Sequence, residues 1–296
     1  MSEQLLLANR IEQLRQAAIA KDRVEQFDEA LALFDEALSL ASDEETRELI
    51  TINKAHAMIG AQRSGPEVQA LPMVLMRRRN PRHTFLAAYA LLYKHRLSGE
   101  AKRSIFYGQL AVSAAKETGR PLWELAALNE LGTAYEIDSN FEQAVDCFEQ
   151  SLALVETLED SPEKLSSRIA VCQNLGGNKI ILGRTREGIE MIESILDSVE
   201  IPSSLSDSYI DLCYGYLDIE EYGKARETGE KGLQYAGEPR QVRNAHYLLG
   251  EAYYKAGDVD AADYHFGELA RYYPQFRNLK SLLFAIDIRS MLNLRI

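Results

Sequence analysis

LNELGTAY at 128–135, followed by Ala144 and Phe148, and YLLGEAYY at 247–254, followed by Ala262 and Phe266, place Leu, a small residue, Tyr, Ala and Phe at the same offsets. Two weaker copies lie between them, Leu175-Gly176 with Gly188 and Ile192, and Leu212-Cys213-Tyr216 with Ala225. In all four the two small residues stand twelve apart (132/144, 176/188, 213/225, 250/262), while the units begin 44, 37 and 37 residues apart. Constant inner spacing with variable outer spacing is the pattern of a helical hairpin repeated with loops of different length. The small residues belong where the two helices of a hairpin cross, and let their backbones approach closely. Gly there costs up to ~1 kcal/mol of helix propensity, which the contact must offset. Tyr135 and Tyr253 then fill the groove toward the next unit, with Phe148 and Phe266 packed beneath.

Working outward, apolar residues recur at three- and four-residue spacing between turns marked by Gly, Pro, Asn or Asp, which predicts an all-α chain. The predicted pairs are 3–21 with 25–41, 43–61 with 66–79, 82–97 with 99–117, and 120–137 with 141–157. They continue as 162–182 with 185–199, 203–219 with 222–236, and 239–256 with 259–272, closed by a helix over 275–293. The first pair keeps FDEALALFDEAL in its second helix but has Ala17-Ala18 where Leu-Gly would stand. The pairs within 43–117 are degenerate, and Pro72 enters a predicted helix where it is expected to kink it.

At 46% hydrophobic and 26% charged residues the composition is that of a folded chain, without a low-complexity linker. The start, MSEQLLLANRIEQLRQ, lacks the regions of a signal peptide, and no apolar run approaches the ~20 residues that span a bilayer. Cys147, Cys172 and Cys213 each fall in a predicted helix and read as small buried residues in a reducing compartment, the cytoplasm. The net charge of −12 argues against nucleic acid as a partner, but the charge is segregated. Residues 76–120 hold 10 basic and 2 acidic side chains, and 121–163 hold none and 11.

The repeated pattern resembles the tetratricopeptide repeat family, whose consensus couples W-x2-L-G-x2-Y to a later A-x3-F and a closing Pro. The unit at 246–274 follows it closely, ending on Pro274, and the unit at 128–151 nearly as well. The resemblance assigns 1–274 to a repeat array, best matched over 121–274 and degenerate over 43–117, and 275–296 to a C-terminal capping helix. It implies a right-handed superhelical solenoid of about seven pairs whose concave groove, lined by the first helix of each pair, binds an extended or helical peptide. Groove positions are Asn129, Glu130 and Thr133 in the fourth pair, and Gln173, Asn174 and Gly177 in the fifth. Asp211 and Tyr214 follow in the sixth, and Tyr247, Glu251 and Tyr254 in the seventh. Asn129 and Asn174 match sites where peptide-binding members carry Asn, an amide that both donates to and accepts from a ligand backbone. The carboxylate clamp of chaperone-binding members is not matched by Gln173, Asp207, Ile210 and Asp211, so a C-terminal carboxylate is not expected as the ligand there and a basic or neutral peptide suits the acidic fourth pair better. Lys179 for Tyr, Gly188 for Ala and Gly229 for Phe depart from the consensus and imply looser packing in the fifth and sixth pairs.

Arg77, Arg78 and Arg79 open the basic block, which either contacts an anionic partner or neutralises the acidic stretch after it, within one chain or across a homo-oligomer. Leu283 and Met291 belong to a last helix with more apolar surface than one capping face hides, a second route to a homo-oligomer or partner contact. No phosphate loop, HExxH, GxSxG or CxxC is present, so no enzyme, cofactor or metal site is expected. His246 and His265 are placed to approach each other in the last hairpin, and Asp258, Asp260 and Asp263 read as a helix cap. The chain is therefore expected to be a non-catalytic scaffold that binds a protein or peptide. The alternative is a ligand- or peptide-responsive regulator of an effector.

Overall fold

The computed structural model describes residues 3–272 and is helical throughout them, with no strand. Fourteen α-helices follow in order: α1 Glu3–Arg23, α2 Phe27–Leu40, α3 Glu44–Gly60, α4 Pro66–Arg77, α5 Pro81–Leu97, α6 Ala101–Thr118 and α7 Pro121–Ile137. After these come α8 Phe141–Thr157, α9 Pro162–Ile181, α10 Thr185–Glu193, α11 Pro202–Asp218, α12 Tyr222–Tyr235, α13 Pro239–Lys255 and α14 Val259–Tyr272. Every helix expected within these residues is present to within a few residues. The exception is α10, which ends at Glu193 and gives way to a short 3-10 turn, Leu196–Ser198, rather than running to 199. Pro72 lies inside α4, which nonetheless continues to Arg77. The expected closing helix, with Leu283 and Met291, lies outside the described residues.

One turn closes every pair. The backbone N–H five residues on donates to the carbonyl of the first helix at Gln26→Lys21, Arg63→Met58, Glu100→His95, Asn140→Tyr135, Arg184→Lys179, Glu221→Tyr216 and Asp258→Tyr253. The residue just before each donor is left-handed: Glu25, Gln62, Gly99, Ser139, Gly183, Glu220 and Gly257. This is the 6→1 bond of a Schellman ending, which satisfies helix carbonyls otherwise left without partners.

The chain divides into two compact units, 1–134 and 135–296. In unit 1 the core is a succession of small clusters, each shared by consecutive helices. Leu14 and Ala18 of α1 meet Ala30 and Phe34 of α2 and Ile50 of α3. Ile52 and Ile59 of α3 meet Leu71 of α4 and Leu91 of α5. Phe85 and Ala88 of α5 meet Ala111 and Ala115 of α6 and Ala127 of α7. Unit 2 has a larger cluster joining Ile180, Ile189, Ile210, Leu217, Leu248 and Phe266 across α9 to α14.

The twelve-residue rule is obeyed where the helices cross. A Cβ on Gly188 would overlap the Gly176 carbonyl oxygen, and one on Gly176 would lie 2.6 Å from Ile192 Cγ1. The rule also reaches the first and third pairs. Ala18 and Ala30 are fully buried, and the buried Ser104 hydroxyl donates to the Leu92 carbonyl at 3.1 Å, binding the two helices through the small residue itself. The expected looseness of the fifth and sixth pairs is corrected. The space that Gly229 leaves is taken by Leu249, whose Cδ2 would lie 2.7 Å from an added Cβ. Lys179 is buried and ion-paired to Glu149 (3.4 Å) and Glu187 (3.1 Å). The cysteines are free and buried, and burial pushes the Cys147 thiol up to about 12.

Candidate functional site

In unit 1 the odd-numbered helices share a polar and aromatic face. Arg82, Leu86, Tyr89, Tyr93 and Arg96 stand at three- and four-residue spacing on α5 and are all half-buried. Asp22 of α1 is 2.9 Å from His56 Nδ1 of α3. The His56 ring stacks on Tyr93 (5.4 Å between centroids) and Tyr89 (6.2 Å), and the Arg96 guanidinium lies 5.1 Å from the Tyr93 ring. Arg96 Nε then meets Glu130 Oε2 of α7 at 2.8 Å. Burial, with the Glu130 charge, raises the Tyr89 hydroxyl pKa, so the phenol stays neutral.

A second rung lies on the same helices. Arg15 donates through Nε (2.8 Å) and Nη2 (2.7 Å) to Glu12 and through Nη1 (2.9 Å) to Asn53 of α3. Those bonds hold the Glu12 carboxyl down to about 2. Sequence reasoning missed both rungs because pairs two and three lack Leu-Gly. The half-buried stripe on α5 is the signal that could have found them.

In unit 2 amides and hydroxyls tie the helices, together with an ion pair between α11 and α13. Gln173 of α9 donates to Ser204 O (2.9 Å) and Ser208 Oγ (2.6 Å) of α11 and accepts from Ser204 Oγ (2.9 Å). Arg240 of α13 reaches both oxygens of Asp207 at 2.9 and 3.1 Å. Gln241, buried, donates to Ser203 O at 2.8 Å and accepts from the N–H groups of Gly237 and Glu238. Beside Gln173 and Ser204 opens a cleft of about 400 Å³, walled by Leu165, Ile169, Val199 and Ile201.

The positions predicted to face a groove separate on this geometry. Glu130 is engaged by Arg96, and the Thr133 hydroxyl donates to Asn129 O within its own helix at 3.2 Å. Gln173 spends its amide on α11. Asn174, Asp211, Tyr214 and Tyr254 are half-buried on the first helices of their pairs, whereas Tyr247 and Glu251 are buried. Tyr247 donates to Glu251 at 3.0 Å, and Lys255 pairs with the same carboxylate at 3.3 Å.

The basic block is used largely inside the chain. Arg79 meets Glu44 at 3.2 Å and Arg77 lies near Glu44 and Glu48, so these two face α3 rather than the acidic stretch after the block. Arg96 with Glu130 and Lys116 with Glu124 (3.7 Å) do join block to stretch. Arg78 caps α4 in a left-handed conformation.

His246 and His265 do approach, with Nδ1 atoms 3.0 Å apart. No group of three or more metal-binding side chains occurs among the described residues. Asp258 caps α14, its carboxylate accepting from Ala261 N at 3.1 Å. No described helix is long and apolar enough to cross a membrane.

Comparison with known proteins agrees with this architecture. Residues 127–162 match the model of the tetratricopeptide repeat. Among solved structures, the apo form of RapI superposes with a TM-score of 0.71 at 12% identity, covering 96% of this chain and 84% of that one. A Rap protein complexed with Competence and Sporulation Factor gives 0.69 at 13% identity, with 97% and 84% covered. NprR in complex with its cognate peptide NprX gives 0.66 at 15% identity, with 99% and 89% covered. No curated protein sequence matches significantly. The chain thus has the fold of a tetratricopeptide-repeat solenoid.

Proposed function

We propose that this chain is a non-catalytic interaction module of the cytoplasm that binds a peptide or protein segment on the faces of its first helices. The supporting observation is that NprR, which shares the fold over 99% of this chain, is solved with its cognate peptide. The faces suit such a ligand. Unit 2 offers Asn174, Asp211, Tyr214 and Tyr254 on its first helices and an apolar cleft at Gln173 and Ser204, and Asn129 occupies the matching position in α7 of unit 1. Asn amides hold a peptide backbone without selecting its side chains.

The regulator reading draws support from the likeness to a signal transduction ATPase with a tetratricopeptide repeat sensor from Pyrococcus horikoshii, TM-score 0.65 at 13% identity, where 96% of this chain covers 44% of that one. The looser packing expected in the fifth and sixth pairs lends it no support, because Leu249 occupies the space at Gly229 and Lys179 is ion-paired. Arg77, Arg78 and Arg79 remain proposed as a salt-sensitive contact with a partner or a second copy. Leu283 and Met291 remain proposed as a salt-insensitive one.

Selection of a random peptide library on the full chain, followed by fluorescence anisotropy with the strongest peptide, tests the reading. Asn129→Ala with Asn174→Ala should cost roughly 1–3 kcal/mol of affinity with little change in Tm. Unchanged affinity would remove both residues from the site.

A further inference from the structure

Three arginines carry a buried Nε that makes no hydrogen bond among the described residues: Arg82, Arg96 and Arg226. Two of them are compensated. Arg96 Nε faces the Glu130 carboxylate at 2.8 Å and its guanidinium lies by the Tyr93 ring, and Arg226 lies over the Tyr253 ring at 5.4 Å. Arg82 has no ion pair, ring contact or side-chain hydrogen bond among the described residues. The nearby acids are already taken. Glu12 is held by two nitrogens of Arg15, and Glu45 accepts from Asn80 Nδ2 at 2.8 Å.

Partial burial, and after it the charges of Arg15 and Arg120, hold the Arg82 pKa below the usual arginine range, against the opposing charges of Glu12 and Glu45. Arg120, just before α7, has its guanidinium 4.5 Å from the Trp123 ring, which stacks at 4.6 Å on Phe85 of α5. A half-buried guanidinium whose nearby carboxylates are hydrogen-bonded elsewhere is only partly compensated. A planar anion relieves that, because the guanidinium fork matches a carboxylate with two parallel hydrogen bonds.

We propose that the first-helix face of unit 1 is a carboxylate-binding site, in which Arg82 and Arg120 take an acidic group of a bound peptide and Arg15 adds its charge. The proposal rests on the peptide-binding reading and adds a selectivity that unit 2, where Arg240 is already paired with Asp207, does not share. The carboxylate can come from an acidic side chain or from a peptide C-terminus.

Three probes separate these sources: acetyl-hexaglutamate amide, acetyl-hexaglutamine amide, and an acetylated Gly-Ser hexapeptide with a free C-terminus. Binding is read by anisotropy competition and by NMR of the full chain labelled at arginine Nε, with the Arg82 signal assigned from Arg82→Lys. The hexaglutamate, the free C-terminus, or both should shift the Arg82 Nε–Hε signal and bind about tenfold more tightly than the hexaglutamine. Arg82→Gln should abolish that preference, while Arg186→Gln, at an exposed arginine of unit 2, should keep it. Because the signal is read in the unaltered chain, the test survives a variant that folds poorly. Equal binding of all three probes with Arg82 unmoved would overturn the carboxylate site and leave the peptide reading standing. Binding of none would overturn the site, and the library selection would then decide the peptide reading alone.

Discussion

Unit 1 and unit 2 close their hairpins with the same turn and join their helices by opposite means. In unit 1 the crossings are made by Ala18 with Ala30 and by Leu92 with Ser104, and the face carries charge and rings: Asp22, His56, Tyr93, Arg96 and Glu130. In unit 2 the crossings use Gly176 with Gly188 and Gly250 against Phe266, and the face is tied mainly by Gln173, serines and Gln241. The difference shows that the turn defines the repeat, while the crossing and the face are free to diverge. A charged face can leave a guanidinium available to a ligand. A neutral amide network satisfies its own members and binds through shape and backbone.

The sharpest break of the comparison lies at the crossings. Gly188→Ala, whose Cβ would overlap the Gly176 carbonyl, should destabilise by about 2 kcal/mol or more despite the helix propensity it gains. Gly267→Ala, within α14 and open on every side, should stabilise by up to ~1 kcal/mol. Urea unfolding of both variants checks the opposite signs, and a shared sign would remove the close crossing as the reason for Gly188.

A pH dependence is expected from unit 2. Burial lowers both buried histidines, His265 further through the charge of His246, to about 4 from an unperturbed 6.5. Between those values the unfolded chain binds more protons than the folded one. Stability from this pair is therefore complete above pH 6.5 and is lost as pH falls toward 4. Thermal unfolding from pH 7.5 to 4.5 should show the decline, and His265→Phe should flatten it.

For unit 1 the sharpening test is electrostatic. A double-mutant cycle on Arg96 and Glu130, both largely shielded, should give a coupling of about 1 kcal/mol that survives salt. The exposed pair Arg79 and Glu44 should give a few tenths at most and lose it in high salt.

The smallest effect tests what the units share. Glu220 occupies the left-handed turn position at φ 63°, where Gly183 and Gly257 stand in neighbouring pairs. Glu220→Gly should stabilise by about 0.5–1 kcal/mol, and Gln62→Gly in unit 1 by a similar amount. Loss of stability in either would mean that the side chain does more there than tolerate the turn.

Leu131-Gly132 and Leu249-Gly250 determined the all-helical repeat by themselves, because backbone approach at a crossing demands a small residue and leaves a fixed interval in the sequence. The first three pairs hid that interval, with Leu92 and Ser104 standing in for it, yet the turn donors Gln26, Arg63 and Glu100 are spaced by 37 residues like Arg184, Glu221 and Asp258 of the last three pairs. A turn needs backbone conformation rather than particular side chains, so its period leaves little trace in residue types. Tertiary structure alone decided the faces. Whether Gln173 is offered to a ligand or spent on Ser204 depends on how α9 sits against α11. Whether Arg77 or Arg82 of the basic block lacks a counter-charge depends on which acids the fold brings within a few ångströms. Electrostatic and hydrogen-bond energies fall steeply over that distance, and sequence spacing does not report it across helices.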